Sequence, residues 1–214
     1  MSIRQVVLWR HGRTAWNVAG RVQGTSDIAL DDTGRRQARA AAAELATLGP
    51  TRIISSDLSR AHDTARALAD VTGIDIETDP RFREMHFGAR EGLTWREAWE
   101  TFPEGMRAWV DGDETQIPGS ETHLQAGERF ADGLRERLDE RDDEVVVVVA
   151  HGGVLRAGAC CFLGFDLAQW NLFGGLSNCS WSVLEETRHE LWARWRITEW
   201  NADSVPRPTQ SDDD

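Results

Sequence analysis

Glu144-Val145-Val146-Val147-Val148-Val149-Ala150-His151-Gly152-Gly153 joins five consecutive valines to a histidine and two glycines. β-Branched side chains favour the pleated strand, and a run without polar alternation fits a strand covered on both faces, as in a parallel sheet. Such a strand seldom ends in a titratable side chain unless that group is wanted at the sheet's edge. The same pattern stands near the start of the chain. A strand expected over Ile3 to Trp9 carries the apolar run Val6-Val7-Leu8-Trp9 and stops at Arg10-His11-Gly12. Two strands that each deliver a histidine followed by glycine suggest a site at the carboxyl ends of the strands of an open α/β sheet.

The segments between them alternate. Asp31 is placed to cap a helix from Asp32 to about Leu48, where Ala38, Ala41, Ala42, Leu45 and Leu48 recur at helical spacing and Gly49-Pro50 ends it. Arg52–Ser55 reads as a short strand. Ser56-Asp57 opens a helix with Ala61, Ala65, Leu68 and Ala69 on one face and Gly73 past its end. Ile74–Glu77 is a third strand. Thr94–Pro118 reads as a small helical insert holding Trp95, Trp99 and Trp109. Ser120 is placed to cap a helix to about Asp139 with Leu124, Phe130, Leu134 and Leu138 inside, and Arg141-Asp142-Asp143 is a solvated turn. Gly153–Leu163 is a helix. Asn178–Leu184 and Glu190–Trp200 form a last pair of strands, the second with Leu191, Ala193, Trp195 and Ile197 on one face. The alternation predicts a three-layer αβα sandwich with a mostly parallel mixed sheet and an antiparallel edge. It is expected to form a single domain over 1–203, with 94–118 as a cap over the site and 204–214 as a disordered polar tail.

Composition removes several function classes. With 214 residues, 40% of them apolar, the chain is sized for one core. A net charge of −12 argues against a nucleic-acid surface, although a local arginine cluster can still hold a small anion. No run of 18 apolar residues occurs, so no membrane span is expected, and the N-terminus lacks a signal-like apolar segment, which predicts a cytoplasmic location. There is no lysine and no tyrosine. That excludes a Walker lysine, a lysine Schiff base and a tyrosine acid or base. Cys160, Cys161 and Cys179 form no CxxC pair and are expected as buried thiols, with no zinc site.

Four motifs carry the chemistry: Arg10-His11-Gly12-Arg13-Thr14-Ala15-Trp16-Asn17; Ser55-Ser56-Asp57-Leu58-Ser59-Arg60-Ala61; Arg83-Glu84-Met85-His86-Phe87-Gly88 with Glu91-Gly92; and Ala150-His151-Gly152-Gly153. In this order they resemble the histidine phosphatase superfamily, also called phosphoglycerate mutase-like. The resemblance runs from Arg10 to about Asn201, and Gly20–Gly24 and Leu30–Ala38 also match. It implies a phosphoglycerate mutase-like fold and phosphoryl transfer through a phosphohistidine, with no metal or other cofactor.

The residue chemistry agrees with that expectation. His11 is the expected nucleophile, since a neutral imidazole can take a phosphoryl group and divide one displacement into two. Arg10 and Arg60 offer planar, permanently charged forks for phosphate oxygens, Arg60 in the first turn of its helix. Asn17, His151 and the Gly152 amide are expected to add donors. Glu84 is expected to protonate the leaving oxygen and later accept a proton from water. Glu91-Gly92 is expected to shape its loop, His86 fits either a substrate contact or a structural role, and His62, His123 and His189 are expected to be solvated or satisfied in the core. Arg21, Gln23 and the 94–118 insert are the expected specificity elements, with Trp95 available to lie against a sugar.

The short span from Glu84 to His151, and Gly153 where mutases of the family have asparagine, favour hydrolysis. Gln169–Trp181 and Trp195–Asn201 are similar to the glucosyl-3-phosphoglycerate phosphatases, which implies a phosphorylated sugar or glycerate as the small-molecule partner. A broad-specificity acid phosphatase and a phosphoglycerate mutase are the alternatives. A non-catalytic phospho-ligand binder should have lost one of Arg10, His11, Arg60, Glu84 and His151. An α/β-hydrolase lacks its Gly-x-Ser-x-Gly elbow here. The oligomeric state is left open, a homodimer included.

Overall fold

The computed structural model describes residues 4–139, 145–187 and 194–204. The expected turn at Arg141–Asp143, the inward positions Leu191 and Ala193, His189 and the polar tail from Pro206 lie outside the described residues. Six strands form one sheet: β1 (Gln5–Arg10), β2 (Arg52–Ser55), β3 (Ile76–Thr78), β4 (Val145–Ala150), β5 (Trp181–Glu186) and β6 (Trp195–Ala202). Their order is β3-β2-β4-β1-β5-β6. The first four neighbours pair parallel, and β5 and β6 add an antiparallel edge. This is the mixed sheet expected from the sequence.

The valine strand lies inside the sheet, between β2 and β1, and all six of its residues are buried. On one face Val145, Val147 and Val149 pack with Val7, Trp9 and Ile53 against helices α2 (Asp32–Leu45) and α3 (Ser59–Thr72), which follow the short helix α1 (Ala15–Ala19). On the other face Val146, Val148 and Ala150 pack with Val6, Leu8 and Ile54 against two later helices, Phe130 and Leu134 coming from one and Val154 and Leu155 from the other. Those are α6 (His123–Asp139) and α7 (Gly152–Leu163), and they complete three layers. They approach closely because one contact point is glycine: a Cβ at Gly158 would lie 2.2 Å from Phe130 Cδ1. The 94–118 segment supplies the remaining helices, α4 (Trp95–Thr101) and α5 (Pro103–Val110), around a small core of Ala98, Met106 and Ile117.

Several expected boundaries move, each for a local reason. α2 ends at Leu45 and tightens into a 3₁₀ turn, which leaves Leu48 exposed. α3 starts at Ser59 because Asp57 is ion-paired with Arg83 instead of entering the helix. α6 starts at His123. Thr122 and Gln125 cap it reciprocally, Gln125 N donating to Thr122 Oγ1 at 3.2 Å and Thr122 N to Gln125 Oε1 at 2.9 Å. Ser120, the expected cap, donates to Phe87 O at 2.9 Å instead. Leu124, expected inside, is 46% exposed on the outer face. β3 begins two residues later than expected, at Ile76. The segment after Thr14 contains α1, opened by a Thr14–Asn17 capping box.

Register positions the site. Arg10 lies opposite Ala150, and His11 N donates to Ala150 O at 3.0 Å. The residues one step further along β1 and β4 are therefore His11 and His151, side by side at the carboxyl edge.

Candidate active site

His11 is 2% exposed, and its Nδ1 lies 2.7 Å from Gly12 O. A carbonyl only accepts, so Nδ1 carries the ring proton and Nε2 keeps its lone pair. No partner for Nε2 exists among the described residues. The loop behind it is locked. Gly12 N donates to Thr64 Oγ1 at 3.0 Å, and Thr64 Oγ1 donates to Arg60 O at 2.7 Å. Only glycine fits at 12, since a Cβ there would lie 2.6 Å from Gly34 O. Arg10 donates from Nη1 to Leu176 O at 2.5 Å, and its enclosed Nε has no hydrogen-bond partner among the described residues.

The second histidine has the opposite tautomer. His151 Nδ1 accepts from Arg60 Nε at 3.1 Å, so the proton sits on Nε2, which donates to Ser56 Oγ at 2.9 Å. The two rings stand 5.1 Å apart between centroids. Arg60 is fully buried and also donates to Ser26 O and Gly24 O, each at 2.7 Å. Glu91 holds the loop that presents those carbonyls, accepting from Thr25 N at 2.9 Å and Ser26 N at 3.1 Å. It thus shapes the loop as expected. Burial lowers the Arg60 guanidinium to about 10, with Glu84, Asp27 and Glu91 opposing the shift, so it stays charged at neutral pH.

Burial also pushes both imidazoles well below the ordinary histidine range. The neighbouring cations add to this: Arg10 and Arg60 act on His11, and Arg60, Arg10 and Arg129 act on His151. Both rings are neutral at neutral pH. Below about pH 6.5 the unfolded chain protonates these histidines while the folded chain does not, so stability is full above that value and is lost as pH falls toward the folded-state pKa. Lowering the pH from 7.5 to 5.5 in phosphate-free buffer should remove on the order of 2–3 kcal/mol, shared between the two rings. Urea midpoints across that range should show it, with a flatter slope in His151→Gln. Equal slopes in the two proteins would contradict the assignment.

Glu84 reaches across to the first turn of α7. Its Oε1 accepts from Val154 N at 2.8 Å and Met85 N at 3.0 Å, and Oε2 accepts from Gly153 N at 3.0 Å. Oε1 has two donors and Oε2 one, so the remaining lone pair is on Oε2. Gly153 is a close fit, since a Cβ there would lie 2.9 Å from Glu84 Oε1.

Asn17 Oδ1 accepts from Thr14 N at 3.0 Å and Asn178 Nδ2 at 3.2 Å, which leaves its amide nitrogen as the available donor. The Gly152 amide opens α7 without an intrahelical acceptor. Two expected substrate contacts also have partners in the scaffold. Arg21 donates to Gly92 O at 2.5 Å and pairs with Glu97 at 2.9 Å, bracing the first loop against the insert. Gln23 is buried with Oε1 3.0 Å from Thr14 Oγ1. His86 Nδ1 accepts from Gly88 N at 2.9 Å, which fits a structural role. Sequence reasoning passed over Ser56, Thr64, Leu176 and Asn178. Thr64 alone had a local signal, one helical turn beyond Arg60.

Residues 6–203 match the family described as histidine phosphatase superfamily (branch 1). A glucosyl-3-phosphoglycerate phosphatase of Mycolicibacterium vanbaalenii is 38% identical, over 94% of this chain and 96% of its own. A metal-independent phosphoserine phosphatase of Arabidopsis thaliana is 36% identical, over 94% of this chain and 82% of its own. The solved structure of mycobacterial glucosyl-3-phosphoglycerate phosphatase complexed with VO3 superposes with a TM-score of 0.84 at 38% identity, covering 94% of this chain and all of that one (100%).

Proposed function

Since the chain belongs to the histidine phosphatase superfamily and is a phosphatase, we propose that it hydrolyses glucosyl-3-phosphoglycerate or a related phosphorylated glycerate through a phosphohistidine on His11. The observation that carries this reading is the pair of opposed tautomers. His11 presents an unprotonated Nε2, whereas His151 has both ring nitrogens engaged, by Arg60 and Ser56.

In the first step His11 Nε2 attacks phosphorus as the bond to the leaving oxygen breaks, and Glu84 gives that oxygen a proton from Oε2. In the second step Glu84 takes a proton from water, the water oxygen attacks phosphorus, and the nitrogen–phosphorus bond breaks to release phosphate. Arg10, Arg60, the Asn17 amide nitrogen and the Gly152 N–H serve the equatorial oxygens, where preorganised donors act most strongly. The His151 Nε2–H exchanges Ser56 for the stronger, anionic acceptor. The two named relatives support a small ester whose alcohol carries a carboxylate.

The test measures phosphate release from glucosyl-3-phosphoglycerate, phosphoserine and 3-phosphoglycerate, the last with and without 2,3-bisphosphoglycerate. Release from the glucosylated ester is expected to be fastest. Isomerisation of 3-phosphoglycerate faster than any release would instead identify a mutase.

A further inference from the structure

Arg90 and Arg156 are cations that this catalytic scheme leaves unused. The Nε of each is enclosed without a hydrogen-bond partner among the described residues. Arg90 is 3% exposed and meets aromatic faces, 5.2 Å from the Phe87 ring centroid and 4.9 Å from that of Trp109. Burial lowers its pKa, and Glu114 is the carboxylate whose charge opposes the shift. Glu114 is itself taken up by His123, through a very short contact to Nδ1 and a 2.6 Å bond from the backbone N–H. Arg156 lies 3.9 Å from the Trp170 ring centroid, and its bond to Phe173 O is long, at 3.3 Å. Its charge couples to Cys160 and to Glu84.

An aromatic row joins the two arginines. The Trp109 and His123 rings are 6.1 Å apart, and those of His123 and Trp170 are 4.0 Å apart. Burying a guanidinium short of acceptors is unfavourable, and a ring face offsets only part of that. The planar fork matches a carboxylate. The phosphoryl group already has Arg10 and Arg60. The leaving oxygen must come within hydrogen-bond reach of Glu84, and Arg156 lies on the same helix whose first turn holds Glu84.

We propose that Arg156, assisted by Arg90, forms a leaving-group subsite that recognises a carboxylate on the alcohol half of the phosphomonoester, with the Trp109–His123–Trp170 row lining it. The proposal rests on the hydrolytic reading above and adds the residues that read the carboxylate of the alcohol.

The experiment compares kcat/KM on 3-phosphoglycerate and on glycerol 3-phosphate, which share a three-carbon frame and differ in the carboxylate. The wild-type ratio should favour the carboxylated ester by about tenfold or more. Arg156→Gln should lower that ratio by about tenfold to a hundredfold, Arg156→Lys by less, and Arg90→Gln should lower it too. Glycerate, unlike glycerol, should raise the apparent KM for p-nitrophenyl phosphate in the wild type, a reading that needs no variant. A wild type without preference, a ratio unmoved by Arg156→Gln, or no competition by glycerate overturns the subsite while leaving the hydrolase intact. Release of phosphate from no ester at all overturns the hydrolytic reading and the subsite with it.

Discussion

His11→Ala is expected to abolish phosphate release, with kcat falling on the order of 10⁴- to 10⁶-fold, the scale seen when a covalent nucleophile is removed. The same variant should take up no acid-labile label from a radiolabelled phosphomonoester. His151→Ala should still take up label, at a lower rate. The asymmetry is expected because the two histidines, although both follow a buried strand and precede glycine, differ in their partners. Gly12 O holds the proton of His11 on Nδ1 and leaves Nε2 open. Arg60 Nε can only donate, so it fixes His151 Nδ1 as an acceptor and makes Nε2 a donor. A ring with both nitrogens engaged can stabilise charge, but it has no lone pair with which to attack. Binding of inorganic phosphate by His11→Ala, through Arg10, Arg60 and His151, separates loss of chemistry from loss of the pocket. Label retained by His11→Ala and lost by His151→Ala would reverse the assignment.

The layers of this fold were legible because each depends on local pattern. Val145–Val149 announce a doubly covered strand, and Ala38, Ala41, Ala42 and Leu45 announce the face α2 buries. The order of strands was not legible, since nothing within Val145–Ala150 names β1 and β2 as its neighbours. Yet that pairing makes His11 and His151 adjacent and brings Ser56, at the end of β2, to the His151 ring. The same limit hid the grip on Glu84. Two of its three donors lie 69 and 70 residues away, at Gly153 and Val154, and ordinary first-turn amides carry no sequence mark. Arg21 and Gln23 show the same limit from the other side. They were expected to set specificity, and packing also gives each a scaffold partner, Glu97 for Arg21 and Thr14 for Gln23. Residue type marked what chemistry was available, and non-local packing decided which groups remained open for it.

Glu84→Gln separates the two half-reactions. With a glycerate ester, whose leaving alkoxide is strongly basic, removal of the proton donor should slow phosphorylation of His11 by about 10²- to 10⁴-fold. With p-nitrophenyl phosphate the leaving phenolate departs without a proton, so the first step survives. The second step still lacks a base to take the proton from water, and phosphohistidine accumulates. The expected result is a burst of p-nitrophenol equal to the enzyme present, followed by a steady rate far below wild type. The substitution also changes the helix end. The carbonyl oxygen of the introduced amide can replace Oε1 toward Val154 N and Met85 N, but its NH₂ then faces Gly153 N, donor against donor. The lost capping bond should lower stability by about 1 kcal/mol, which a urea midpoint measures independently of the burst. Glu84→Asp keeps the proton but is one methylene short of the α7 amides, so it should lose rate on both substrates without a burst. If Glu84→Gln slowed both esters equally and showed no burst, Glu84 would be a capping residue for α7, and the proton would have to come from another group.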